Sequence, residues 1–145
     1  AALTEEVFCD LDPVAEKHQI RLIQTEGACT VTGSYILLYR AVYNLVENAI
    51  KYNRPSGSVT VGIHSAETAV LEVTDTGIGI SPENQEKIFD PFYRVDKSRS
   101  RAMGGAGLGL ALVSEIARQH NGQVKVTQSS EKGSTIALML PVTLL

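Results

Sequence analysis

Apolar positions in this chain follow two rhythms, one helical and one extended. In SYILLYRAVYNLVENAIKY, residues 34–52, Leu38, Ala41, Val42, Leu45, Val46, Ala49 and Ile50 recur every three or four residues. That spacing collects them on one side of a helix and predicts a broad stripe packed on a sheet. Opposite stand Asn44, Glu47, Asn48 and Lys51, spaced i, i+3, i+4 and i+7, so two carboxamides, a carboxylate and an amine project together. Asparagine is a mediocre helix former, and two of them one turn apart point to a role beyond helicity. Taken alone, the cluster reads first as a solvated polar face.

The remaining elements follow from the same patterns. Residues 3–18 read as a helical lead-in, with Asp12 and Pro13 as N-cap and first position of a helix through Val14, Ala15 and Lys17. Ile20 to Gln24 alternates in the strand manner, and Ala28 to Thr32 is expected to return beside it through a turn at Glu26-Gly27. Ser34 suits the N-cap of the long helix, and Asn53-Arg54-Pro55-Ser56-Gly57 ends it. Residues 58–64 and 69–75 predict a hairpin with Val59, Val61 and Ile63 on its core face. Ser81-Pro82 predicts the start of a short helix to about Ile88. Residues 95–103 hold Lys97, Arg99 and Arg101 and little to bury, the pattern of a mobile loop. A helix opened by the glycines at 104–109 runs through Val113, Ile116 and Ala117 to His120-Asn121-Gly122, with Gly122 at C′. Two strands, from 123 and from 134, close the chain around Glu131-Lys132-Gly133. Short turns between strands call for a mixed, mostly antiparallel sheet with helices on one face, an α+β two-layer sandwich.

Composition adds bounds. With 145 residues the chain fits a single domain able to bury about 68% of its unfolded surface. Its 43% hydrophobic and 20% charged residues and net charge of −3 provide no basic field for nucleic acid, so an anionic ligand must be met by local charge. Cys9 and Cys29 have no metal-binding or CxxC spacing and read as reduced thiols. No apolar run is long enough for a bilayer and no signal-peptide pattern is present. The abrupt helical opening at Ala1-Ala2-Leu3 is expected of a domain cut from a longer protein.

Two glycine clusters carry the chemistry. Asp75-x-Gly77-x-Gly79 follows a strand, where a carboxylate can accept from an exocyclic amine and glycines admit a ligand to the backbone; it also fits a plain tight turn. Gly105-x-Gly107-x-Gly109 leads into a helix, whose free N–H groups and dipole favour phosphate. It lacks the Gly-Lys-Ser/Thr of a Walker A loop and a directly preceding strand, and a flexible hinge is its alternative.

In order along the chain, Asn44-Leu-Val-Glu-Asn48-Ala-Ile-Lys51-Tyr52, Asp75-Thr-Gly77-Ile-Gly79, Phe89-Asp-Pro-Phe92-Tyr-Arg94 and Gly105-Ala-Gly107-Leu-Gly109-Leu110 resemble the N, G1, F and G2 boxes of the catalytic ATP-binding domain of sensor histidine kinases. Gly133-Ser134-Thr135 is similar to the terminal Gly-x-Thr box, and the likeness covers residues 20–141. It implies the Bergerat ATP-binding fold, with ATP and Mg²⁺ as cofactors. By that resemblance Asn48 ligates Mg²⁺, Asn44 orients phosphates or a metal-bound water, Lys51 places a charge on the phosphates and Tyr52 packs near the base. Asp75 accepts from the adenine amine, Gly77 and Gly79 shape the pocket wall, and Ile80 forms an apolar side of it. Gly105, Gly107, Leu108, Gly109 and Leu110 line the phosphate loop, Arg94 with Arg99 reaches the γ-phosphate, and Thr135 supports the base through water. Phe89 and Phe92 fit lid anchors or plain core aromatics.

The resemblance also implies an organisation: one catalytic domain over 1–145, with 1–18 a lead-in from a dimerisation domain and 89–104 the F box and ATP lid. Hydrolytic relatives and anti-sigma serine kinases hold a general-base Glu where this chain has Asn44, so transfer to a histidine on the separate dimerisation domain is the expected reaction. Glu47 remains as an acid that could polarise the incoming histidine. His18-Gln19, His64-Ser65 and His120-Asn121 do not match the family's acceptor motif and read as structural or surface residues. Ser34 stands where many relatives have Asp, and both cap helices. The implied partners are a dimerisation domain and a response regulator, with this domain monomeric and its parent a homodimer. The implied setting is the cytoplasmic side of a membrane-anchored receptor. An ATPase or serine kinase of the same fold, and a silent nucleotide-dependent interaction module, are the rival readings.

Overall fold

The computed structural model describes residues 2–25, 27–65, 67–90 and 109–142. Its first helix, α1 (Ala2–Lys17), buries Thr4, Val7, Leu11 and Ala15, one residue per turn. The expected helix start at Asp12-Pro13 is therefore corrected, because Pro13 lies inside α1. A proline in mid-helix costs about 3 kcal/mol. Val7 and Leu11 are fully buried and contribute about 1.5–3 kcal/mol each, enough to keep one continuous helix.

Strand β1 (Arg21–Gln24) runs parallel to β2 (Ser58–Ser65), with Arg21 opposite Ser58. The return strand expected over 28–32 does not form; these residues take no regular structure. The Thr25 N–H instead donates to Val61 O at 3.0 Å. Gly27, at φ +139°, passes so near Ile63 that a Cβ would lie 2.0 Å from its carbonyl oxygen. The chain thus tracks β2 past the end of β1 instead of reversing.

Helix α2 (Tyr35–Lys51) begins where Ser34 Oγ accepts from the Leu37 N–H, and all seven predicted stripe residues are buried. The hairpin forms as read, β2 pairing with β3 (Thr68–Asp75) and Val61 facing Val73. Two 3₁₀ turns, Pro82–Asn84 and Lys87–Phe89, replace the expected single short helix. Only Ile88 is buried there, too little packing to propagate a costly helical nucleus. Helix α3 (Gly109–Gln119) ends in a Schellman motif: Asn121 N–H donates to Arg118 O and Gly122 N–H to Ala117 O. Asn121, at φ 60°, occupies the left-handed C′ position, which corrects the placing of Gly122 there. Glycine is needed at 122 for space, since a Cβ would lie 2.1 Å from Met139 O.

Strands β4 (Gln123–Ser130) and β5 (Gly133–Pro141) complete a sheet of order β1-β2-β3-β5-β4, antiparallel except between β1 and β2. Helix α2 packs between α1 and α3. Leu45, Ile50, Val113, Ile116, Val7 and Leu11 meet Val59, Val61, Val73, Ile136 and Leu138 of the sheet in one core. This is the α+β two-layer sandwich expected from the pattern.

Candidate functional site

Asp75 ends β3, opposite Val59 of β2 and beside the start of β5. Its Oδ1 accepts from the Gly77 N–H at 2.9 Å and the Ser134 N–H at 3.2 Å. Burial pushes the carboxyl above its ordinary value, and the two backbone bonds offset that only in part. Its Oδ2 takes no hydrogen bond from the described residues. The loop beyond Asp75 lies between the end of α2 and the β4–β5 hairpin. At Gly77 a Cβ would come 2.5 Å from Tyr52 O and 3.2 Å from Asn53 Cα. Gly79, at φ +78°, sits against Ser130 O, 2.1 Å from where a Cβ would stand. The Ile80 N–H donates to Ser129 Oγ at 2.6 Å, and Ile80 packs at the edge of the core.

On the polar face of α2, Asn44 Nδ2 reaches the Gly109 carbonyl at 3.5 Å. The carboxamide helix and the glycine-led start of α3 therefore adjoin. Asn48 is half-buried and makes no side-chain hydrogen bond among the described residues. Lys51 pairs with Glu47 at 3.7 Å, both side chains partly exposed; such a pair is weak. Tyr52 caps α2, its N–H donating to Asn48 O. From Asn44 to Tyr52 the helix rises about 12 Å, so the α3 start and the Asp75 loop border the two ends of one polar face. Thr135 is buried with its hydroxyl on Thr74 Oγ1 at 2.9 Å, one residue beyond the Ser134 amide that holds Asp75. Leu110 and Phe89 pack against the core. Phe92, Arg94, Arg99, Gly105, Gly107 and Leu108, with most of the 89–104 segment, lie outside the described residues.

Four residues of this site were not singled out from the sequence: Asn53, Thr76, Ser129 and Ser134. Ser134 stands inside a recognised box and Asn53 directly follows one, but their partners Asp75 and Thr76 lie elsewhere in the chain. The histidines are structural or at the surface. His120 donates from Nδ1 to Ile116 O at 2.8 Å and accepts at Nε2 from the Ser34 N–H at 3.1 Å, joining the end of α3 to the start of α2. His64 faces Glu72 at 2.6 Å, and His18 follows the end of α1. No group of three or more His, Cys, Asp or Glu side chains forms a metal site among the described residues. No described helix is long and apolar enough to cross a membrane.

A helix start offers N–H groups and a positive dipole to an anion, and a strand-end carboxylate two turns of α2 away offers an acceptor to a base. Together they frame a site suited to a nucleotide on a two-layer α/β sandwich. Residues 33–144 match the family described as "Histidine kinase-, DNA gyrase B-, and HSP90-like ATPase". Sensor histidine kinase RppB of Synechocystis is 42% identical over 141 residues, 97% of this chain and 31% of RppB. The mycobacterial sensor histidine kinase MprB superposes with a TM-score of 0.81 at 30% identity, over 98% of this chain and 95% of that one. Full-length ShkA in complex with AMPPNP gives 0.86 at 25% identity, over 99% of this chain and 30% of ShkA. The chain belongs to this ATPase family, and within it to the catalytic domains of sensor histidine kinases. It spans less than a third of RppB's length.

Proposed function

We propose that this domain binds Mg-ATP between the polar face of α2, the 75–80 loop and the start of α3, and donates the γ-phosphate to a histidine on a separate dimerisation domain. The adjacency of Asn44 and Gly109, at 3.5 Å, carries this reading, because it brings two sequence-distant boxes to one site. Asp75 accepts from the adenine amine, with Gly77, Gly79 and Ile80 as the wall, Tyr52 beside the base and Thr135 behind it. Asn48 would give its amide oxygen to Mg²⁺, and Asn44 would orient the phosphates by donating from Nδ2 or a metal-bound water by accepting at its amide oxygen. The fit is chemical: Asn48 has a hard oxygen free of side-chain bonds among the described residues, and Mg²⁺ takes few protein ligands beside phosphate and water. Bound there, the ion neutralises charge on the phosphates. Lys51, released from Glu47, supplies a point charge, and the N–H groups of 105–110 with Arg94 and Arg99 meet the β- and γ-phosphates.

In the transfer the bond from the γ-phosphorus to the bridging oxygen breaks, a bond from phosphorus to imidazole nitrogen forms, and ADP leaves. An imidazole needs no strong base, so positioning and charge neutralisation suffice. Glu47 could orient the incoming ring. A response regulator then receives the phosphate, and the parent protein is a membrane-anchored homodimer with this domain, 1–145, on the cytoplasmic side. Calorimetry with ATP and GTP, with and without Mg²⁺, tests the site. Selective, metal-dependent ATP binding is expected, followed by phosphohistidine when a dimerisation domain is added. Equal affinity for both nucleotides, or steady ADP release by this domain alone, overturns the reading.

A further inference from the structure

We propose that Asn53 and Thr76 are positioning residues that set Asp75 for the base, coupling the phosphate-side helix to the base-side loop. This rests on the reading of Asp75 as acceptor for the adenine amine. Asn53 follows the end of α2 and is only 7% exposed. Its Oδ1 accepts from the Arg54 N–H at 2.8 Å and from the Thr76 hydroxyl at 2.9 Å, while its Nδ2 donates to Ser58 O at 2.8 Å. Thr76 Oγ1 in turn accepts from the Ser58 N–H at 3.0 Å. Two adjacent side chains thus clasp the helix end, the start of β2 and the residue next to Asp75.

A helix stop does not need this arrangement. Termination at Asn53-Arg54-Pro55 requires no bond to a residue 23 positions downstream. The packing around the clasp leaves no slack. A Cβ at Gly57 would lie 2.4 Å from Asn53 Oδ1 and 2.5 Å from Thr76 Oγ1, and Gly77 is pressed on Tyr52 O and Asn53 Cα. On the far side, the Ser134 N–H holds Asp75 Oδ1, and Gly133 lies so close that a Cβ would be 2.0 Å from Asp75 O. The β5 side is fixed by backbone. The α2 side is held by the backbone packing at Gly77 and by the side chains of Asn53 and Thr76, the part of the mount that a substitution can change.

The test compares ATP with purine riboside triphosphate, which lacks only the exocyclic amine, by calorimetric titration of wild type, Asn53→Ala, Thr76→Val and Thr76→Ser, with a thermal melt for each. Wild type should prefer ATP by roughly tenfold or more, the worth of a hydrogen bond to a charged acceptor. Thr76→Val, which keeps the shape, should reduce that preference to about twofold by removing the clasp's hydroxyl, and Asn53→Ala should do the same. Thr76→Ser, which keeps the hydroxyl, should retain the wild-type preference. Affinity for the amine-free analogue should stay nearly unchanged in all four. A lowered melting temperature with the ATP preference intact in Thr76→Val overturns the inference, whatever Asn53→Ala does. Absence of the preference in wild type overturns the Asp75 assignment, and the clasp's role falls with it.

Discussion

Replacing Asp75 by asparagine should separate stability from binding. Asparagine keeps the shape and an oxygen for the Gly77 and Ser134 N–H groups, but both bonds become neutral. Charge-assisted bonds are roughly twice as strong as neutral ones, each worth ~1 kcal/mol, so the pair loses about 2 kcal/mol. Burial opposes that loss and outweighs it, because the carboxyl is raised from 3.8 despite both bonds. The sign follows: the folded protein holds the Asp75 proton at pH values where the unfolded chain has released it. Wild-type stability from this group therefore falls as pH rises from 3.8 through the raised value. Asp75→Asn lacks that slope and should melt at or above the wild-type temperature at neutral pH, the difference closing in acid. Binding moves the other way. A hydrogen bond to a charged group is worth about 1.5–3 kcal/mol, and asparagine can turn its own amine toward adenine. The dissociation constant for ATP should rise by roughly ten- to a hundredfold. Thermal melts across pH and calorimetry read the two effects. A variant clearly less stable than wild type at neutral pH, with ATP affinity retained, would refute the reasoning.

Further variants probe the other contacts. Gly77→Ala forces a methyl to 2.5 Å from Tyr52 O, a backbone atom; a loss of about 1–3 kcal/mol with weakened ATP binding is expected, and a wild-type melt would contradict it. Asn48→Asp has no side-chain bond to lose among the described residues, so its melt should stay within about 0.5 kcal/mol of wild type while Mg-ATP binding is lost on calorimetry. His120→Ala leaves the Ser34 N–H without its acceptor and should cost about 1 kcal/mol with ATP affinity untouched, since it lies at the other end of α2. Asn44→Glu should weaken ATP binding without raising ADP release in a steady-state assay.

How much of this was legible depends on how local each cause is. The α2 stripe and the 58–75 hairpin were readable because 3.6- and 2-residue periods are properties of neighbouring residues. Pro13 misled because its local signal opposes burial of Val7 and Leu11 against other elements. The 28–32 segment misled because strand pairing depends on a β2 still to come in the chain. Gly122 was rightly marked as special but for the wrong reason, its constraint being Met139 O on β5 and not its own backbone angle. The site divides the same way. Asn44, Asp75 and Gly77 stand in motifs. Ser134 and Asn53 act through partners 59 and 23 residues away, and no short window contains both ends.

The choice between transfer and hydrolysis comes down to what position 44 can do. A general base there must be a carboxylate aimed at water. Asn44 instead lies against Gly109 with its Nδ2 toward a carbonyl oxygen at 3.5 Å, a contact that needs a donor. A carboxylate in its place would present an acceptor to that carbonyl and would have to turn away from Gly109. On the proposed function, water activation is left without a base at position 44, because the amide that meets Gly109 takes no proton, and the nucleophile is the histidine brought from outside this domain.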